Sequence, residues 1–100
     1  MTVQSKSLLK DKIIDCLKAE EEIERIVFFG SFMVADEPHD IDVAIFQDSN
    51  HSYLDLAMKY RKLTREVSKE IPLDIIPLKS DTPDFAFLTE IEKGVVVYER

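Results

Sequence analysis

Asp40 and Asp42 stand two residues apart in the segment DIDVAIF (40–46), and a third carboxylate, Asp74, falls in the short apolar segment IPLDIIP (71–77). In an extended chain alternate side chains share a face, so Asp40 and Asp42 point one way while Ile41, Val43 and Ile45 point the other. Their Cα atoms then lie roughly 6.5–7 Å apart, within reach of a common divalent cation. Without a counter-charge the two would repel. Asp74 sharpens the case, because a lone charge among Ile71, Leu73, Ile75 and Ile76 is costly to desolvate, and neither acidic segment carries a Lys or Arg in its apolar core. A bound cation is the simplest compensation. Three carboxylates with no accompanying His or Cys suit magnesium or manganese better than zinc, and sites of this kind commonly bind the phosphates of a nucleotide. The chemistry expected is phosphoryl or nucleotidyl transfer.

Upstream of Asp40, Gly30 and Ser31 follow a run of β-branched and aromatic residues, Ile23 to Phe29. That run reads as a buried central strand. At its end, backbone amides and a helix start could meet a phosphate chain, with Gly30 letting the backbone come close. A Gly-Ser pair is also an ordinary tight turn; its place before the paired aspartates is what gives it weight.

These residues need a scaffold. Leu9, Ile13, Cys16 and Leu17, widened by Leu8 and Ile14, predict an amphipathic helix over 7–20. A short turn or loop from Ser31 to Glu37 leads to the second strand, 40–46. Tyr53, Leu56, Tyr60, Leu63 and Val67 recur at steps of three and four and predict the longest helix over 52–70, with Tyr53 and Tyr60 in the core and Lys59, Lys62, Arg65 and Lys69 on a solvated face. The proline-bracketed 71–77 suits a strand near a sheet edge. Thr82 and Pro83 then open a helix with Phe85, Leu88 and Ile91 on its buried stripe, and Gly94 ends it before a last strand, Val95 to Tyr98. The order is αβ(α)βαβαβ, an α/β (α+β) arrangement with a small mixed sheet of about four strands and helices packed on it.

With 100 residues, 45% hydrophobic and 33% charged, the chain predicts a single domain over 1–100 with one real core. The opening MTVQSKSLLKDK lacks the apolar core of a signal peptide, and no stretch approaches the ~20 apolar residues of a membrane span, so a cytoplasmic protein with no membrane partner is expected. Cys16 is the only cysteine and has no metal-ligand neighbour. A net charge of −7 argues against a binder of long nucleic acid, which normally needs a basic face.

Read together, VFFGSFMVADEPHDIDVAIF and the later LDII resemble the DNA polymerase β-like nucleotidyltransferase superfamily, and within it the minimal nucleotidyltransferase (MNT) branch. That pattern is an apolar strand, Gly-Ser, a loop, Asp-apolar-Asp on the next strand and one acid on a third; Gly30, Ser31, Asp40, Asp42 and Asp74 match it in order. The ending IEKGVVVYER is also similar, so the resemblance runs from about Ile26 to Arg100. It implies a two-metal (Mg2+ or Mn2+) transfer of a nucleoside monophosphate, AMP from ATP, to an acceptor hydroxyl, with pyrophosphate leaving. Asp40 and Asp42 would bridge the metals, Asp74 would serve the metal nearer the attacking hydroxyl, and Gly30 and Ser31 would hold the triphosphate. It further implies an MNT-type antitoxin whose partner and acceptor is a helical HEPN-domain ribonuclease toxin; homo- and hetero-oligomers both stay open.

Two departures from that pattern stand out, and the first motivates a second reading. Phe32, Met33, Val34 and Ala35 occupy the place of the family's arginine after Gly-Ser, and His39 precedes Asp40 where a small hydroxyl residue is usual. A binding module of the same fold, catalytically weak or inactive, would neutralise its partner by occlusion through an exposed apolar Phe32-Met33-Val34 loop.

Overall fold

The computed structural model describes residues 2–33, 35–79 and 94–100. Helix α1 spans Val3–Leu17 and begins four residues before the periodicity predicts, because the Thr2 hydroxyl accepts the Ser5 amide at 3.0 Å and caps the first turn. Leu9, Ile13 and Leu17, four residues apart, form its buried stripe, while Leu8 is exposed.

Strand β1 is Ile23–Phe29 and runs into a 3₁₀ turn at Gly30–Met33. β2 is Ile41–Gln47, one residue later than the alternation predicts, so Asp40 sits just outside the strand. Helix α2, Tyr53–Leu63, starts where the Ser52 hydroxyl accepts the Asp55 amide at 3.1 Å. The long helix predicted over 52–70 is broken at Thr64, which is buried and turns its hydroxyl back to donate to the Tyr60 carbonyl at 2.8 Å, a bond known to bend helices. A short helix, α3, Arg65–Ser68, completes the segment. Tyr60 is core as predicted, but Tyr53, at the exposed first turn, keeps 58% of its surface in solvent. Of the cations, Lys59 is committed to Glu20 and Glu22 at 3.1 and 3.0 Å.

β3, Leu73–Lys79, and β4, Val95–Glu99, complete a four-stranded mixed sheet of order β3-β2-β1-β4. β1 lies antiparallel to β2 and β4, and β2 runs parallel to β3. The predicted edge position of β3 holds, and Pro77 is tolerated there because an edge strand need not donate on both sides. The helix predicted from Thr82 lies outside the described residues. None of the described helices is long and apolar enough to cross a membrane.

The two sheet faces differ. One carries Ile26, Phe28, Ile41, Val43, Ile45 and Ile75 against α1, α2 and α3, and this is the main core. The other carries a smaller cluster of Val27, Phe29, Ala44 and Phe46. By strand alternation, Asp42 and Asp74 belong to this second face.

Candidate metal and nucleotide site

Parallel pairing of β2 with β3 sets Asp42 directly beside Asp74 and Ile41 beside Leu73. Partners in register share a face, so the pairing that buries Val43 and Ile75 on one side delivers two carboxylates to the other. Asp40, two residues earlier, joins them: each of Asp40, Asp42 and Asp74 offers a carboxylate oxygen, and these three oxygens all lie within 4.8 Å of one another.

Burial within the trio is graded. Asp40 and Asp42 are half-buried, whereas Asp74 is exposed. The apolar residues around Asp74 predict a desolvated charge; an edge strand instead leaves that carboxylate in water, so desolvation of Asp74 is no argument for a cation. The argument rests on Asp42. Burial, then the charge of Asp40, then that of Asp74 push its carboxyl above the ordinary carboxylate range. The cluster is therefore short of positive charge where its oxygens converge, and an all-oxygen donor set at this spacing suits a hard divalent cation.

Gly30 is tied to the same carboxylate. Antiparallel pairing of Phe29 with Asp42 puts the end of β1 beside β2. Gly30 adopts φ of +79°, and a Cβ there would overlap Asp42 Oδ2 and sit 3.1 Å from its Cγ. Glycine thus does two things, entering the left-handed region at no steric cost and leaving room for the Asp42 side chain. Ser31 follows it in the 3₁₀ turn, close in sequence to this contact.

One residue carries no local signal in the sequence. Lys6, on α1, donates from Nζ to the Phe32 carbonyl at 3.0 Å and to the Ala35 carbonyl at 2.7 Å, and lies 5.4 Å from the Phe32 ring centroid. Only the fold brings it there, from 26 residues away. Phe32 itself is buried, edge-on to Phe28 at 5.8 Å, so it is not part of an exposed apolar loop. His39 and His51 lie exposed in loops.

The raised Asp42 carboxyl has a measurable consequence. A carboxyl that holds its proton more tightly folded than unfolded adds stability below its ordinary range and loses it as pH rises through the folded value. Ionised without divalent metal, Asp42 repels its neighbours; two unit charges ~5 Å apart cost about 0.8 kcal/mol in a water-like dielectric. Thermal unfolding in chelator should therefore show Asp42→Asn about 4–7 °C more stable than wild type at neutral pH. The gap should close as pH falls and Asp42 becomes neutral; a wild type equal to the variant at neutral pH would contradict the repulsion.

A family model described as polymerase beta, nucleotidyltransferase, matches residues 11–100. No curated protein matches the chain in sequence. Solved structures share the fold at low identity. A chain of the complex of tri-AMPylated Shewanella oneidensis HEPN toxin with MNT antitoxin aligns with a TM-score of 0.65 and 19% identity, over 95% of this chain and 73% of that one. A chain of a toxin–antitoxin structure with AMP-PNP aligns with a TM-score of 0.64 and 18% identity, over 91% and 73%. A candidate nucleotidyltransferase from Sulfolobus solfataricus aligns with a TM-score of 0.58 and 18% identity, over 98% and 83%.

Proposed function

This chain belongs to the polymerase β nucleotidyltransferase family, and from that premise we propose that it transfers AMP from ATP to a hydroxyl of a helical HEPN-type toxin, acting as the antitoxin of the pair. The observation that carries the reading is the convergence of three carboxylates within 4.8 Å beside a left-handed glycine turn. The partner and the nucleotide are suggested by fold relatives, one a tri-AMPylated HEPN toxin with its MNT antitoxin and another a toxin–antitoxin structure with AMP-PNP.

In this reading Asp40, Asp42 and Asp74 hold magnesium or manganese, which supplies charge to neutralise the phosphates and to acidify the attacking hydroxyl. Asp40 and Asp42, half-buried and side by side, form the fixed part of the donor set. Asp74, exposed on the edge strand, meets an acceptor hydroxyl arriving from solvent and favours loss of its proton. Gly30 and Ser31 present backbone amides to the triphosphate, and the missing Cβ at position 30 leaves room for the Asp42 carboxylate beside them.

Co-expression with the product of the adjacent gene, followed by incubation with magnesium and α-labelled ATP, should put label on that partner. If neither the partner nor the chain itself is labelled by any of the four nucleoside triphosphates, the transferase reading is wrong.

A further inference from the structure

The turn that carries Gly30 and Ser31 is not held by its own strand alone. Its Phe32 carbonyl and the Ala35 carbonyl beyond it converge on one ammonium group, Lys6 Nζ, which reaches over from α1. The same ammonium stands over the Phe32 ring, and that ring is locked edge-on against Phe28 in the main core. Lys6 is half-buried, so these charge-assisted bonds are shielded from full competition with water.

We infer that Lys6 is a positioning residue for nucleotide binding, a clamp on α1 that fixes the Gly30–Met33 turn in the form its amides need to address a triphosphate. The inference rests on the transferase reading above. In a trans peptide the C=O and the following N–H point in opposite directions. Fixing the Phe32 oxygen therefore fixes the plane of the Phe32–Met33 peptide, within the turn that carries Gly30 and Ser31. α1 packs on the main-core face of the sheet, whereas Asp42 and Asp74 open on the other, so the clamp holds the turn from the side opposite the carboxylates. The turn has no arginine of its own between Ser31 and Asp40 to gather phosphate charge. Its grip on an anion must come from backbone groups, and those are useful only while the backbone is held.

The test compares wild type with Lys6→Met, Lys6→Arg and, as a control, Lys10→Met one helical turn further along α1. Each is assayed for binding of manganese–AMP-PNP by calorimetry and for thermal stability without nucleotide. Lys6→Met should bind the nucleotide roughly tenfold more weakly, the cost of re-ordering about one released residue on binding. Lys6→Arg, which keeps charged donors, should recover most of that loss, and Lys10→Met should match wild type. Unfolding midpoints measured without nucleotide should not track the affinity order. Equal affinity in Lys6→Met and wild type would overturn the clamp while leaving the transferase reading intact. No binding by wild type would overturn both.

Discussion

Replacing Asp42 by Asn should leave a folded protein that has lost nucleotidyl transfer by on the order of 10³-fold. Asp42 is the member of the trio closest to everything else: it pairs in register with Asp74, opposes Phe29 at the end of β1, and fills the space left by the missing Cβ of Gly30. Asn keeps the shape and the bonding of a neutral side chain but withdraws one negative charge and one anionic oxygen from the donor set. The gain in metal-free stability expected of this variant separates a functional loss from a folding one. Activity is read as label on the partner, and metal binding as the rise in unfolding midpoint on adding manganese; retention of both would remove Asp42 from the site.

Gly30→Ala should fail differently. A φ of +79° costs an L residue about 1–2 kcal/mol, and the new methyl would also displace the Asp42 carboxylate. Stability should drop by roughly 5–10 °C in unfolding midpoint, and metal-dependent stabilisation should fall with it, because the displaced oxygen belongs to the donor set. Asp42→Asn raises stability and abolishes transfer, whereas Gly30→Ala lowers both. An alanine variant with unchanged midpoint and unchanged manganese response would show that the turn tolerates a side chain and is not coupled to Asp42.

Much of this arrangement could be read from residue order. Alternation in 40–46 put Ile41, Val43 and Ile45 on one face and the acids on the other, and the prolines around 71–77 marked an edge strand, because both depend on local geometry alone. What escaped was decided by contacts distant in sequence. The break in the 52–70 helix depends on a buried hydroxyl bonding back to Tyr60, and the periodicity of the apolar residues runs straight through it. Asp74 sits in an apolar stretch yet faces solvent, since hydropathy along a strand cannot tell which of its faces a neighbour covers. Lys6 reads as one more polar residue on an amphipathic helix, and its two carbonyl partners belong to a turn beyond the next strand.

The register of β2 and β3 carries a final implication. Sliding β3 by one residue would swing Asp74 into the greasy interior beneath α2 and push Ile75 out into water, a mispairing that core packing would reject at once. Any molecule that has passed the folding quality control set by its own interior has, by the same act, aligned its acids. Errors of alignment in this protein should thus surface as unfolded chains rather than as well-folded but idle ones.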